Sequence, residues 1–192
     1  ILYDVENQAL AARSQKIRVL IKESNQMRFR ADSDKPIFIR GLGSKRRKAS
    51  SLTLRKINGR INYSLNGDRS GNSLLNRSSE LRISSNDPRG IWLGRRRYRG
   101  ELRVYLLENQ IKVINHLPLE TYLLSVVGSE MPKSWPLAAL QAQAIAARTY
   151  AMKQLGKKGI YDVNSNVSNQ VYLGLESETK KTRLAVESTK SL

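Results

Sequence analysis

The first 115 residues alternate apolar and polar side chains in short runs, a pattern typical of half-buried strands. The runs occupy residues 16–21, 51–57, 60–65, 80–83, 101–106 and 111–114. Asn58-Gly59 separates the second run from the third and favours a two-residue hairpin turn, because both residues accept positive φ angles. The Asn-, Ser-, Gly- and Asp-rich stretch 66–90 predicts turns on either side of residues 80–83. We therefore predict that residues 15–115 are β-rich.

From Pro118 onward the apolar period changes from two to about 3.6 residues, which indicates helices. A short helix is predicted from Pro118, a favourable first helical position, to Gly128, a frequent helix stop. A long Ala-rich helix is predicted over 137–157, because Gly156 is its first Gly or Pro and lysines complement the dipole at its end. Its apolar stripe comprises Leu137, Leu140, Ala144, Ala147 and Ala151. Residues 178–189 predict a third helix.

Together these patterns predict an α+β fold, with a β-rich amino-terminal part packed against two or three helices that include one long Ala-rich helix. The 192 residues, of which 40% are hydrophobic and 26% charged, fit about one globular domain. We predict an amino-terminal extension over 1–14 and one domain over 15–192. That domain divides into the β-rich part 15–115, a helical part 116–157 and a remainder 158–192.

The charge is strongly basic and unevenly distributed. The chain has 34 Lys and Arg against 16 Asp and Glu, a net charge of +18. Residues 1–100 hold 23 of the basic and 8 of the acidic residues, so this amino-terminal stretch carries a net charge of +15. This imbalance predicts an anionic partner.

Composition excludes several kinds of chemistry. Without Cys and with His116 as the single His, the chain has no disulfide, no catalytic thiolate and no Cys- or His-rich metal cluster, and we predict neither metal nor cofactor. No apolar run approaches the roughly 18–20 residues of a membrane span, and the first residues lack the apolar core of a signal peptide. Membrane association is therefore expected only through an anchor outside this sequence.

Two basic clusters, 45–48 (KRRK) and 95–99 (RRRYR), leave three interpretations open. The first is a solvated loop and a strand edge whose charge prevents pairing with another chain. The second is attraction to an anionic cell wall. The third and least favoured is nucleic-acid binding, because no motif that reads bases accompanies the clusters.

Residues 128–136 (GSEMPKSWP) place one carboxylate, Glu130, in a proline-bounded loop between the first two helices. A rigid loop is a good mount for a general acid, and burial beside Met131 and Trp135 would favour its protonated form. Two other interpretations of Glu130 stay open on spacing alone, namely a cap of the following helix or a solvated side chain.

On the long helix, Gln141, Ile145 and Arg148 share a face. A structural salt bridge from Arg148 to Glu120 is one interpretation. The other is a functional cation, and since an Arg touching Glu130 would oppose its work as an acid, we expect Arg148 to bind substrate or to position the loop.

Several segments of the sequence resemble the stage II sporulation protein D family, whose domain also occurs in amidase enhancers. The tightest are 98–100 (YRG), 113–123 (VINHLPLETYL), 126–132 (VVGSEMP), 135–136 (WP) and 138–150 (AALQAQAIAARTY). Residues 161–163 (YDV), 170–174 (QVYLG) and 185–189 (AVEST) continue the pattern. The resemblance runs from about residue 15 to the end. Since the family's further strands have no counterpart here, it implies a domain that is incomplete at its carboxyl end.

The resemblance implies a lytic transglycosylase that cleaves the bond between N-acetylmuramic acid and N-acetylglucosamine in peptidoglycan, outside the cytoplasmic membrane, on glycan strands stripped of stem peptides. The family's catalytic acid falls on Glu130 and its required Arg on Arg148. One carboxyl suffices if the sugar's own 6-hydroxyl attacks and forms a 1,6-anhydro end, whereas a glycoside hydrolase needs two. The alternative is a non-catalytic wall-binding module that enhances a separate amidase.

The remaining site candidates are weaker. We expect substrate contacts from Gln143, Thr149, Tyr150, Gln170 and Tyr172. Trp135 is predicted to pack in the core rather than to stack on a sugar, and Asp162 is predicted to be a solvated turn residue rather than a second carboxylate of the site. The expected partners are glycan strands and a cell-wall amidase, with nucleic acid disfavoured.

Overall fold

The computed structural model describes residues 15–68 and 80–190, and the chain divides into two compact units. Unit 1 comprises Ile1–Val19 and Leu117–Leu192, and unit 2 comprises Leu20–His116. The predicted extension 1–14 and residues 69–79 of the predicted turn region lie outside the described residues. The domain boundaries drawn from sequence stay a prediction.

The described elements of unit 2 are strands in two sheets, and the first and last of them continue into unit 1. The strands are β1 (Lys16–Ser24), β2 (Gln26–Arg30), β3 (Ile37–Gly41), β4 (Gly43–Ala49), β5 (Ser51–Ile57), β6 (Arg60–Leu65), β7 (Leu81–Ser85), β8 (Ile91–Leu93), β9 (Arg96–Tyr98), β10 (Glu101–Leu107) and β11 (Gln110–Pro118). One sheet has the order β12-β1-β11-β10-β7-β3-β4, in which β12 is the short strand Val163–Asn164, and the other, which we call the five-stranded sheet, has the order β6-β5-β2-β8-β9.

The predicted hairpin is confirmed. β5 and β6 pair antiparallel from Leu52 opposite Leu65 to Ile57 opposite Arg60, and Asn58 and Gly59 connect them with φ angles of 51° and 73°. Alternation also places part of the core of unit 2, because strands such as β2 and β10 bury every second side chain. In β2, for example, Met27 and Phe29 are buried while Gln26 and Arg28 are exposed. The mixed α+β class with a β-rich amino-terminal part is confirmed.

Both basic clusters lie on strands at the edges of their sheets. Residues 45–48 are exposed in β4, the last strand of its sheet, and residues 96–98 form β9, the last strand of the five-stranded sheet. Charged side chains on an edge strand oppose pairing with a second sheet. The position of both clusters at a strand edge is therefore confirmed, while a role of their charge in preventing pairing and the other two interpretations stay predictions.

Unit 1 contains three helices that pack against one another. They are α1 (Leu119–Glu130), α2 (Leu137–Gln154) and α3 (Lys180–Ser188), joined by a short strand β12 (Val163–Asn164) and a 3₁₀ turn (Leu175–Ser177). The stripe predicted on α2 is buried except for Leu137, which is half-buried. No helix in the described part of the chain has the length and apolar composition needed to cross a bilayer.

Two predicted helix ends are wrong. Gly128 does not stop α1, which continues to Glu130; a Cβ on Gly128 would lie 2.0 Å from the carbonyl oxygen of Ser177, so glycine is required for close approach of the 3₁₀ turn. The long helix ends at Gln154 rather than at residue 157, because Leu155 is extended (φ −62°, ψ 145°) and Gly156 has a φ of 74°.

Candidate functional site

Glu130 is the last residue of α1 rather than the middle of the loop, and its side chain is exposed. It does not cap α2, whose N-cap is Pro136 without a side-chain cap. One carboxylate oxygen, Oε1, accepts a hydrogen bond of 2.6 Å from the backbone N–H of Val171. The other oxygen, Oε2, accepts none from a described residue. The carboxyl is therefore held by one oxygen and open to a ligand at the other.

The loop between α1 and α2 is compact, and it exposes an aromatic side chain. The N–H of Met131 donates to the carbonyl of Val127, and that of Trp135 donates to the carbonyl of Pro132 at 3.0 Å. Trp135 is 47% exposed, so the prediction that it packs in the core is wrong. The reason is that the backbone turn over Pro132–Trp135 keeps this indole outside the helix bundle. Trp135 thus presents an apolar ring to solvent five residues after Glu130.

The segment that supplies the Val171 amide is fixed by its own hydrogen bonds. Asn169 Oδ1 accepts from the backbone N–H of Asn164 at 2.8 Å, and the N–H of Tyr172 donates to the carbonyl of Ser165 at 3.2 Å. Asn169 Nδ2 also donates to the hydroxyl of Tyr150 on α2 at 2.8 Å. Sequence reasoning missed Asn169 and the Val171 amide as partners of the site.

Tyr122 connects this segment to both long helices of unit 1. Its hydroxyl donates to Gln170 Oε1 at 3.1 Å, and Gln170 Nε2 donates in turn to the carbonyl of Ala147 at 3.2 Å. The rings of Tyr122 and Tyr172 lie 5.1 Å apart with an interplanar angle of 41°. All three side chains are buried. Sequence reasoning treated Tyr122 only as an apolar helix position.

Electrostatics place Tyr122 close to the exposed carboxyl. Burial raises the pKa of the Tyr122 phenol well above its ordinary value, and the charges of Tyr150 and Glu130 raise it further. Tyr122 is therefore a neutral hydrogen-bond donor throughout the pH range in which proteins work. Among the predicted contacts, Tyr150, Gln170 and Tyr172 lie in this network around Glu130.

Arg148 lies in a different environment, and it is only 5% exposed. Its guanidinium forms a bidentate ion pair with Glu120, from Nε to Oε1 at 2.8 Å and from Nη2 to Oε2 at 2.9 Å. The remaining N–H groups donate to the carbonyl oxygens of Val186 and Thr189 and to the Thr189 hydroxyl. These contacts account for all five guanidinium donors.

The structure does not bring Arg148 and Glu130 together. Glu120 and Glu130 are ten residues apart on α1, and at 1.5 Å per residue this places them about 15 Å apart along the helix axis. Arg148 ties the first turn of α1 to the carboxyl-terminal carbonyls of α3, where a cation satisfies orphan acceptors. Of the two interpretations of Arg148, the structure contains the salt bridge to Glu120.

The other candidates contribute less to this site. Gln143 is half-buried on α2, and the exposed Thr149 donates its hydroxyl back to the carbonyl of Ile145 at 3.0 Å. Asp162 is 5% exposed and pairs with Arg18, from Oδ1 to Nη2 at 2.6 Å, so the prediction of a solvated turn residue is wrong. Its carboxylate also accepts the Arg18 backbone N–H, which fixes β12 beside β1 within unit 1. No group of three or more potential metal ligands occurs among residues 15–68 and 80–190.

Comparison with known proteins places similarity in the carboxyl-terminal half of the chain. The family model described as Stage II sporulation protein (SpoIID) matches residues 107–192. An uncharacterized protein of Brachyspira hyodysenteriae is 38% identical over 96 residues, which cover 48% of this chain and 26% of that protein. Stage II sporulation protein D of Bacillus subtilis is 33% identical over 103 residues, covering 45% of this chain and 29% of that protein.

The amidase enhancer of Bacillus subtilis is 44% identical over 68 residues, covering 35% of this chain and 9% of that protein. The chain thus spans less than a third of the length of each of these relatives. No solved structure matches it.

Proposed function

The chain belongs, through residues 107–192, to the stage II sporulation protein D family, and from this premise we propose that it cleaves peptidoglycan as a lytic transglycosylase. The names of the relatives, a sporulation protein and an amidase enhancer, support a role at the cell wall. The proposed substrate is the bond between N-acetylmuramic acid and N-acetylglucosamine in glycan strands without stem peptides. Such a substrate places the protein outside the cytoplasmic membrane.

In the proposed reaction, Glu130 is the general acid and then the general base. Its carboxyl donates a proton to the glycosidic oxygen as the bond from that oxygen to C1 of the muramic acid breaks. The 6-hydroxyl of the same sugar then attacks C1 and gives its proton to the Glu130 carboxylate. A 1,6-anhydro end forms without water, and the carboxyl returns to its starting protonation state.

The observation that carries this proposal is the hydrogen bond from the Val171 amide to Glu130 Oε1 at 2.6 Å. It fixes the orientation of an exposed carboxyl and leaves Oε2 directed to no described donor. A general acid must lie within hydrogen-bonding reach of the oxygen that it protonates, and an orientation fixed in advance lowers the entropic cost of reaching it. A single oriented carboxyl is what a reaction without an activated water requires.

Neighbouring side chains supply plausible sugar contacts. Trp135 exposes an indole ring that matches the apolar C–H face of a pyranose. The Tyr150 hydroxyl accepts from Asn169 and donates its own proton to no described residue, so it can donate to a sugar oxygen. In this proposal Gln170 and Tyr172, which are buried, support the Val171 segment rather than touch the substrate.

For Arg148 we propose a positioning role. Its five donors are engaged within unit 1, and its carboxylate partner lies at the opposite end of α1 from Glu130. Fixing the start of α1 against α3 sets the position of the whole helix, including its last residue. Arg148 is thus required without contacting the sugar.

A second candidate function is favoured by the 44% identity to an amidase enhancer. In it the chain binds the wall and increases the activity of a separate amidase without cleaving glycan strands. This function requires the fold of unit 1 but no proton transfer by Glu130.

The deciding experiment is incubation of the 192-residue chain with purified glycan strands lacking stem peptides, followed by mass spectrometry of the products. We expect 1,6-anhydro ends from the wild type and a rate lower by about 10²- to 10⁴-fold for Glu130→Gln. Glu187→Gln is the matched control, because Glu187 is exposed on α3 and the charge change is the same.

Three other results would redirect the proposal. Reducing ends in place of anhydro ends would make the protein a hydrolase. Full activity of Glu130→Gln would show that Glu130 is not the general acid. Intact strands, together with faster release of peptides when a cell-wall amidase is added, would favour the enhancer function.

A further inference from the structure

Outside unit 1, the clearest unassigned feature is a concave surface on the five-stranded sheet of unit 2, lined by polar side chains together with Ile57 and Tyr63. It encloses a cavity of about 510 Å³, within the range of ligand sites. The surface combines cationic, amide and hydroxyl side chains from three adjacent strands, namely Gln26, Arg28, Thr53, Arg55, Asn62 and Ser64. We call these six residues the arginine groove.

Strand register determines how these side chains are arranged. Arg55 lies opposite Gln26 on β2 and opposite Asn62 on β6, while Thr53 lies opposite Arg28 and Ser64. The six residues therefore form two parallel rows on one face of the sheet. Arg28 and Arg55 are diagonal neighbours, a relation that places their Cβ atoms about 7–8 Å apart.

The two arginines have no counter-ion among the described residues. Both are exposed, and neither forms an ion pair with a described carboxylate. The residues that line the cavity include two guanidinium groups and no Asp or Glu. Two like charges held at this spacing repel each other, and an anion between them would relieve the repulsion. A carboxylate fits well, because each guanidinium can donate two parallel hydrogen bonds to it.

The neutral neighbours indicate what carries the anion. Gln26, Asn62, Thr53 and Ser64 offer amide and hydroxyl groups, which both donate and accept hydrogen bonds as sugar hydroxyl and acetamido groups do. A single-stranded nucleic acid would instead need open aromatic rings on which bases stack. On the same sheet the guanidinium groups of Arg30 and Arg97 cover the ring of Trp92 at 5.3 Å and 4.9 Å. Tyr63, the aromatic residue among those that line the cavity, is half-buried.

From these observations we propose that the arginine groove binds a carboxylated glycan, with Arg28 and Arg55 holding a sugar carboxylate and the amide and hydroxyl residues holding the neighbouring sugar. The choice of polymer rests on the function proposed above. A glycan strand without stem peptides carries one free lactyl carboxylate on each muramic acid, whereas an intact strand carries its peptide there. The groove thereby selects strands from which an amidase has already removed the peptides.

The test measures binding of fluorescent glycan strands to the 192-residue chain carrying Glu130→Gln, so that no strand is cut. Three ligands of equal length are compared: strands with free carboxylates, the same strands with their carboxylates converted to primary amides, and single-stranded DNA. The groove variant is Arg28→Gln with Arg55→Gln. The matched control is Arg40→Gln with Arg47→Gln, which removes the same charge from exposed positions on the other sheet.

We expect the groove variant to bind the carboxylated strands at least about tenfold more weakly, because both charged contacts to the carboxylate are lost, and the control to change affinity less than twofold at 0.15 M salt. Amidated strands should bind the unsubstituted groove about as weakly as carboxylated strands bind the variant. This comparison needs no substitution in the groove, so it holds whether or not the variant folds.

Equal effects of the groove and control variants would overturn the proposal, as would undiminished binding of amidated strands. Tighter binding of DNA with the same sensitivity to the groove variant would make the occupant a nucleic acid. The binding assay and the cleavage assay test different proposals. Strands that bind but are never cut by the wild type contradict only the transglycosylase function. Strands that are cut while the groove variant binds normally contradict only the groove.

Discussion

The two ends of α1 carry the two acidic residues of that helix, and their surroundings are opposite. At the first turn, Glu120 is held by both nitrogens of a bidentate Arg148 contact, and the guanidinium is buried. At the last residue, Glu130 is exposed and is held by a single backbone amide. One end has every hydrogen-bonding group engaged inside unit 1, while the other leaves a carboxylate oxygen open.

Under the proposed function, this contrast separates the residues that stabilise the fold from the residue that carries the chemistry. A buried, fully paired charge cannot leave its partner without a large cost, so the Glu120 end serves to hold the fold. An exposed carboxyl with one contact contributes little to folding and is available to a substrate. We therefore expect substitutions that break the buried contacts of α1 to lower the free energy of unfolding more than a substitution of Glu130.

The largest effect on stability is expected at Arg148. Arg148→Gln leaves the Glu120 carboxylate and the Val186 and Thr189 carbonyls without their donor, and we expect the free energy of unfolding to fall by about 3 kcal/mol. Denaturant unfolding followed by circular dichroism measures it. Arg148→Lys should recover only part of the loss, because an ammonium cannot make the bidentate contact.

Arg183 provides the control for this substitution. It lies on α3 with the same charge, but its side chain is 45% exposed and its pairs with Glu178 and Glu187 are long. Arg183→Gln should change the free energy of unfolding by less than about 0.5 kcal/mol. Equal effects of the two substitutions would mean that the buried clamp does not stabilise unit 1.

A smaller loss is expected at Gly128, in the last turns of α1. In most helix interiors Gly→Ala stabilises, by up to about 1 kcal/mol. Here the added methyl group would lie 2.0 Å from a backbone oxygen of Ser177, so we expect Gly128→Ala to destabilise by about 2 kcal/mol. The sign of the change in the free energy of unfolding is the test, because a more stable Gly128→Ala protein would contradict the close approach of the 3₁₀ turn.

Tyr122, in the first turns of α1, should have a more modest effect. Tyr122→Phe keeps the ring contact with Tyr172 but removes the donor to Gln170 Oε1, which leaves a buried acceptor without a partner. We expect a loss of about 1 kcal/mol in the free energy of unfolding. Tyr161→Phe is the control, because Tyr161 is half-buried and donates to no described acceptor. Equal losses in the two proteins would mean that the Tyr122–Gln170 hydrogen bond does not stabilise unit 1.

The same contrast shows what sequence could and could not predict. Periodicity and punctuation located the three helices and the β5–β6 hairpin, because their signals are local. The hydrophobic pattern did not predict β4 as a strand, because an exposed edge strand of basic residues has no apolar alternation. The sequence pattern also predicted that Gly128 ends the helix, because residue type alone does not distinguish a glycine needed for close packing from a glycine that ends a helix.

The candidate site was predictable only in part for the same reason. The resemblance to the family drew attention to Glu130, which spacing alone did not single out, and the contact that orients Glu130 comes from the backbone amide of Val171, 41 residues away. A backbone donor has no side-chain signature, so no pattern of residue types marks it. The burial of Asp162 against Arg18 was missed likewise, because that pair spans 144 residues.

The smallest effect on stability is expected where the effect on activity is largest. Glu130→Gln keeps an oxygen that accepts the Val171 N–H and removes one exposed charge, so the free energy of unfolding should change by less than about 0.5 kcal/mol. The rate at which anhydro ends form should fall by about 10²- to 10⁴-fold. Unfolding and product assays on one preparation measure both quantities. A loss of stability as large as that of Arg148→Gln would show that Glu130 holds the fold, and the functional contrast between the two ends of α1 would then be wrong. If stability is kept and activity is lost, the exposed end of the helix carries chemistry that the fold does not need.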